Sequence, residues 1–481
     1  MNRLLLALTL GLTAFAQADD RHLLITFPWS TKNIGDIAIT PGLLSLIQEA
    51  HPGMKAVVIT SRDPGTDNYR ELKDYLPRYL PGCETIGYPF KMPPEGQLEE
   101  AKPEGAAWRA FVQRWGASKW RGFENGTLSA RIAGQMADDL LNRLPLEMLE
   151  ELKQTNPEAA RAFTDAGFVL YTSGTTLNFG RMGVRDFRTF TLRYSMPLLM
   201  ARALGIPYGV NAQSFDALDW PSNLIFGPLF KDARFVYARD PDSLAYLQQQ
   251  GLLCARSGWR PDTTFFFNGF DNAWADAFMK RHALETGRFI TVTVRSANQT
   301  GPLAGTMTDE REEAIMSRMR RFIEQWVAKT GLPVVLAPEV KSEVQAAHER
   351  IFAKLSPEAQ KKTIELAEFW TTEQAYSLYQ RAQAVVSMEM HSVIMAVSLG
   401  TPVLMPQFSE NGRKVWMLEE LGLGDWIFDI DEPKSPEAVL AAALKIHADP
   451  AAAQARVRAQ LPRIRQLGLS VITEVETGWR R

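Results

Sequence analysis

The chain has 481 residues, 46% hydrophobic and 22% charged, with 33 Gly and 28 Pro. That composition excludes a disordered, collagen-like or coiled-coil protein, and the length suits roughly two to four domains. Lys and Arg total 53 against 55 Asp and Glu, a net charge of −2, so no general basicity points to nucleic acid and any anion site must be local.

At the N-terminus, Arg3 precedes an apolar run from Leu4 to Phe15, followed by Ala14-Phe15-Ala16 and Ala16-Gln17-Ala18. A positive start, a short apolar stretch and A-x-A sites predict a secretory signal peptide over residues 1–18. The run is shorter than the roughly 20 apolar residues of a membrane-spanning helix. The expectation is an exported protein, periplasmic or secreted, with no transmembrane segment after cleavage. Cys83 and Cys254 are the only cysteines. They can pair in an oxidising compartment, but their spacing says nothing about geometry.

Short apolar runs then alternate with helical patterns, as in α/β units around parallel sheets. His22–Phe27 and Ala56–Thr60 read as strands, separated by the turn Asn33-Ile34-Gly35-Asp36 and a helix from Ile37 to Ala50. The Pro-, Gly- and charge-rich stretch from Tyr88 to Glu104 reads as an exposed insertion, and helices follow from Ala106 to about Ala166. Next come the strand Gly167–Tyr171, a helix from Pro197 to Leu204, the strands Pro207–Asn211 and Phe235–Ala238, and a helix from Pro241 to Gln250.

A second series starts at Phe289–Val294 and continues through the helix Asp309–Thr330 and the strand Pro333–Ala337. It ends with Ala384–Ser387, the helix His391–Leu399, the strand Pro402–Met405 and a helical tail from Pro436 to Val475. The shared rhythm predicts an α/β protein with two Rossmann-like domains facing a cleft. The expected bounds are residues 19–280 for the first and 281–481 for the second, which includes the helical tail.

Ligands of open α/β sheets bind where strand carboxyl ends turn into helices, and four such junctions stand out. Asn33–Asp36 offers Gly35 for a sharp turn and Asp36 as either a helix cap or a cleft residue. Thr172–Thr176, containing Ser173 and Gly174, is either a plain turn or a place for backbone N–H groups to meet an anion. Arg295, ending the strand Phe289–Val294, forms a surface ion pair or grips phosphate or carboxylate. His391 follows Glu389 at a helix N-terminus, where the dipole disfavours its proton. It reads as a structural histidine or as a general acid or base. The sequence contains no H-E-x-x-H, G-x-S-x-G, P-loop or G-x-G-x-x-G, and no two histidines have metal-ligand spacing,.

Taken in order, these segments resemble the polysaccharide pyruvyl transferase family. The resemblance rests on Asn33–Asp36, Phe168–Gly174, Ala203–Pro207 through Ala212-Gln213-Ser214, and Tyr237–Asp240 with Ser243. It continues with Met390-His391-Ser392, Gly400–Val403, Arg413-Lys414 and Leu421–Leu423. It implies a GT-B-like fold and transfer of a pyruvyl group from phosphoenolpyruvate, a co-substrate, to a glycan or glycolipid acceptor, without metal or other cofactor. On that basis His391 is the acid that protonates the enolpyruvyl methylene carbon. Arg295, Glu389, Ser392 and Lys414 line the donor site, and Asn33, Asp36, Ser173, Gly174 and Gln213 face the acceptor or cleft. The family pattern carries arginine where this chain has Glu389. The other readings are an exported GT-B-like transferase with a different donor, or a non-catalytic glycan-binding protein using Trp29, Trp108 and Trp220 as sugar platforms.

Overall fold

The computed structural model describes residues 21–28, 32–91, 105–177, 187–296, 307–408 and 411–480, with the side chains of 187–191 excepted. The expected signal peptide and Trp29 lie outside these residues. No helix among them is long and apolar enough to cross a membrane.

Two parallel sheets form the frame. The first contains β1 (His22–Thr26), β2 (Ala56–Ile59), β3 (Glu84–Ile86), β4 (Ala166–Tyr171), β5 (Tyr208–Gln213), β6 (Phe235–Ala238) and β7 (Ser257–Trp259), in the order β3-β2-β1-β4-β5-β6-β7. The second contains β8 (Ile290–Thr293), β9 (Val334–Leu336), β10 (Thr363–Glu365), β11 (Ala384–Ser387), β12 (Val403–Gln407) and β13 (Ile427–Asp429), in the order β10-β9-β8-β11-β12-β13. Both sheets therefore reverse direction between their first and fourth strands, β1/β4 and β8/β11. The four junctions read from the sequence are the carboxyl ends of these four central strands. Their Val, Ile and Leu side chains are buried on both faces, as crossover helices require,.

The helix α1 (Ile34–Ala50) is the central piece. It starts three residues before the expected Ile37 because Asn33, not Asp36, caps it, accepting from the N–H groups of Gly35 and Asp36 at 2.9 Å each,. Residues 37–47 are buried, so α1 has no solvent face over most of its length. One apolar core joins β1, α1 and the whole second sheet, and a second fills the outer face of the first sheet.

Gly42 permits close packing between α1 and the next segment. A methyl there would lie 1.9 Å from the carbonyl oxygen of Thr263, whose hydroxyl donates to Ile39 O at 2.7 Å. The C-terminal helix Leu461–Gly478 returns to the first sheet. There the Trp479 ring lies over Gly167, and the Arg480 N–H donates to Gly167 O at 2.9 Å.

Other expectations are corrected. Tyr88 and Phe90 are buried rather than exposed, and residues 92–104 lie outside the described chain. The helix expected from Pro197 begins at Phe187, with Pro197 inside it. Trp108 is 1% exposed and stacks on Phe111, so it packs the core and is no sugar platform. Trp220 is 40% exposed and donates to Gly126 O. Cys83 and Cys254 are both free.

Arg239 and Asp262 form a fully buried pair at 2.8 Å. Arg239 Nε also donates to Ser214 Oγ, which donates to Asp240, while Asp240 caps the next helix through Ser243 N–H. Arg239, Ser214, Asp240 and Ser243 belong to the segments that carried the resemblance, and here they knit β5 and β6 to Asp262, the neighbour of Thr263. Removing one partner strands the other charge, a loss of about 3–5 kcal/mol. Arg239→Met should therefore lower unfolding stability in urea by that amount. A change below about 1 kcal/mol would show that the pair is not structurally required.

Candidate active site

His391 stands at the second residue of the Met390–Ser398 helix, directly after β11. Its side chain is 5% exposed because the N-terminus of α1 from the other domain covers it. Gly35 makes that contact possible: a methyl at Gly35 would sit 2.0 Å from His391 Cβ. The domains are stitched alongside by Ile34 N–H to Glu339 O at 3.0 Å, Lys341 N–H to Lys32 O at 2.9 Å and an antiparallel bridge between Asn33 and Val340. The Thr372 hydroxyl adds a bond to Ile34 O.

His391 Nδ1 lies 3.4 Å from Asp36 Oδ1 and 3.4 Å from Glu339 Oε1. Both ring nitrogens are buried without a well-aligned hydrogen bond among the described residues; Nδ1 faces the two carboxylates, and Nε2 does not. Burial alone would pull the His391 proton off, but Glu339, Asp36 and Asp262 outweigh it and hold the pKa above the ordinary 6.5,. The helix dipole therefore does not decide this proton, contrary to the sequence-based expectation. Burial raises the Asp36 carboxyl, with His391 and Lys414 opposing. For Glu339, His391 and Ser392 overcome burial and keep the carboxyl below its usual value.

Glu339 escaped the sequence reading. It follows β9 by three residues, a position like that of Arg295 after β8, and is fully buried. Its Oε2 accepts from Ser392 N–H and Ser392 Oγ, both at 2.7 Å. Ser392 is thus committed to Glu339, with Tyr379 donating to its hydroxyl. The only signal in the sequence was a carboxylate just beyond a strand's carboxyl end.

Glu389 does not pair with His391. Its carboxylate meets Arg295 Nε at 3.2 Å and Lys414 Nζ at 3.8 Å, in a nearly buried cluster. Arg295 Nε still lacks a well-aligned hydrogen bond, so the two cations share one carboxylate and are loosely engaged by it. Burial pulls the Lys414 pKa down, opposed by Glu389.

The structure thus gathers His391, Asp36, Glu389, Arg295, Ser392 and Lys414 around one interdomain junction. Asn33 serves that junction as the α1 cap. Ser173, Gly174 and Gln213 form a separate knot. Gln213 accepts from Thr176 N–H and donates to Thr172 O, Ser173 Oγ accepts from Thr263 N–H, and Gly174 bridges to Gln213 at φ 145°. Thr263, bonded to Ser173 and next to Asp262, links the knot to the site. Grooves of about 800 and 480 Å³ run along the C-terminal helix, and His391 lines neither.

Such an arrangement can deliver a proton from Nε2 and seat an anion on Arg295 and Lys414, provided the domains part to admit it. Among the described residues, no three His, Cys, Asp or Glu side chains are grouped to hold a metal ion.

Residues 33–405 match the family described as polysaccharide pyruvyl transferase. No curated protein matches the chain. Among solved structures, it is similar to UDP-GlcNAc 2-epimerase from Neisseria meningitidis, bound to UDP-GlcNAc, at 11% identity and TM-score 0.52. That likeness covers 95% of this chain and 99% of that one. CalG4, the calicheamicin glycosyltransferase, is similar at 14% identity and TM-score 0.46 over 95% and 98% of the two chains. At these identities the likeness concerns the fold alone, which is GT-B-like: two parallel-sheet α/β domains.

Gly35→Ala tests the closure contact, since neither Cβ can swing away. The variant should fold, yet react with diethyl pyrocarbonate at His391 as fast as at exposed His51. Unchanged protection of His391 would contradict the contact.

Proposed function

The chain belongs to the polysaccharide pyruvyl transferase family, and on that premise we propose that it moves a pyruvyl group from phosphoenolpyruvate to a sugar of an extracytoplasmic glycan or glycolipid. The observation that supports this most is His391: buried, its pKa raised by two carboxylates facing Nδ1, with Nε2 unpartnered among the described residues. Protonation of the methylene carbon makes the methyl group and leaves C2 electron-poor. Two sugar hydroxyls then bond to C2, and its bond to the phosphate oxygen breaks. One hydroxyl proton restores His391 and the other leaves with phosphate. A raised histidine pKa suits an acid working near neutral pH.

Arg295 and Lys414 are the natural seat for the donor's carboxylate or phosphate. Glu389 already pairs with both and cancels one of their two charges, so a highly charged donor must displace a buried carboxylate. That ion pair favours a second reading, in which the fold and His391 are kept and the donor carries less negative charge. Export supports it too, because phosphoenolpyruvate is a cytosolic metabolite.

Calorimetric titration with phosphoenolpyruvate separates the two. Under the first reading, wild type binds saturably, Glu389→Gln binds about tenfold to a hundredfold tighter, and His391→Gln binds but does not turn over. No binding to either folded wild type or Glu389→Gln would remove phosphoenolpyruvate as the donor.

A further inference from the structure

The groups facing the His391 ring come from several elements. Asp36 belongs to α1 in the first domain, and Glu339 follows β9 in the second. Asp262, paired with Arg239, adds a more distant negative charge. Glu389, Arg295 and Lys414 form their own ion-paired cluster. The Glu339 carboxylate is held from two sides: Ser392 donates to it twice, and its backbone N–H is tied to Glu343 Oε2 at 2.8 Å. It therefore cannot turn away from His391 without breaking those bonds. Asp36 is different. Its place beside Nδ1 depends on the Gly35 contact and on the bond from Ile34 N–H to Glu339 O.

We propose that Asp36 and Glu339 are positioning residues that grip Nδ1 of His391 from opposite domains, leaving Nε2 as the nitrogen that gives up its proton, and that the grip is complete only when the domains are closed. Glu339 orients the ring in both states, and Asp36 arrives with closure. The charges of both carboxylates then hold a ring proton on Nδ1, 3.4 Å from each, so the reacting proton is delivered from one defined atom. The acid is assembled at the moment the junction is shielded from water, which keeps its proton from leaking to solvent in the open state. This inference rests on His391 being the proton donor.

The sign of the pH effect follows. A histidine whose folded pKa is raised stabilises the closed form at pH below its unfolded value of about 6.5, and this contribution is lost as pH rises through the folded pKa. Removing either carboxylate should bring the folded pKa down.

The test is an NMR titration of ¹³C-histidine-labelled full chain, with the His391 signal identified by its absence in His391→Gln. Wild type should titrate above about 6.5, and Asp36→Asn and Glu339→Gln should each lower the midpoint by about one unit, a tenfold loss of proton affinity. Gly35→Ala should reproduce the Asp36→Asn shift, because it keeps Asp36 away from the ring. If Glu339→Gln fails to fold, Asp36→Asn carries the test alone. Asp36 capping α1 or merely filling space predicts no change in the His391 midpoint, and a midpoint equal to wild type in folded Asp36→Asn overturns the proposal. No donor or acceptor is needed. A shifted titration without pyruvyl transfer therefore keeps this inference and removes the proposed reaction, while a flat titration with transfer does the reverse.

Discussion

A backbone glycine pressed against the β-carbon of a buried histidine is the constraint on which the rest of this molecule depends. Gly35 has no side chain, so α1 can lay its first turn on His391, and only then do Ile34, Asn33 and Asp36 reach Glu339, Val340 and the imidazole. Seven residues on, two helical turns along the same face, Gly42 repeats the device against the Thr263 carbonyl. A helix buried on nearly all sides gains apolar contact with two sheets at once,. It thereby fixes the spacing between the switch points of both sheets, where α/β proteins bind their ligands.

Charge at this junction is arranged in two groups that do not mix. Around His391 the carboxylates of Asp36 and Glu339 outcompete both burial and the unfavourable end of the helix dipole,. Beside it, Glu389 lies on Arg295 and Lys414 where the family pattern has another cation. A buried carboxylate between two cations is stable without a ligand, and the same pairing makes an anionic ligand compete for its seat. The half of the site proposed to donate a proton is therefore assembled in this chain, while the half proposed to bind an anion holds a carboxylate of the chain itself.

The sequence was legible where chemistry and periodicity coincide. All four central strands and the junctions at their carboxyl ends could be read from apolar runs ending in small or charged residues. The four strands that went unread, β3, β7, β10 and β13, are the four sheet edges. Each has three residues and pairs on one side only, so it carries too short a pattern to show. His391, Arg295 and Glu389 were visible as residues, but their partners were not. Glu339 reaches His391 beside Ser392, 53 positions away, and Asp36 reaches it only through the pairing of residues 32–34 with 339–341, contacts separated by some three hundred positions. Asp36 was readable as either a cap or a cleft residue, and Asn33, which had the same capability and stood earlier, takes the cap. Gln213 and Ser173 looked like cleft residues, and their polar atoms bond neighbouring segments, Gln213 to Thr172 and Thr176 and Ser173 to Thr263. In each case the residue type was readable, and the three-dimensional partner that decides its role was not.

The most direct measurement of the central claim is the transfer reaction run in D₂O, with phosphoenolpyruvate and a panel of simple glycosides, read by mass spectrometry and proton NMR. If His391 protonates the enolpyruvyl carbon, a pyruvylated glycoside forms with one deuterium in its methyl group, phosphate is released in equal amount, and His391→Gln forms none. Phosphoenolpyruvate left unconsumed by folded protein across the panel, or the same labelled product from His391→Gln, would contradict it.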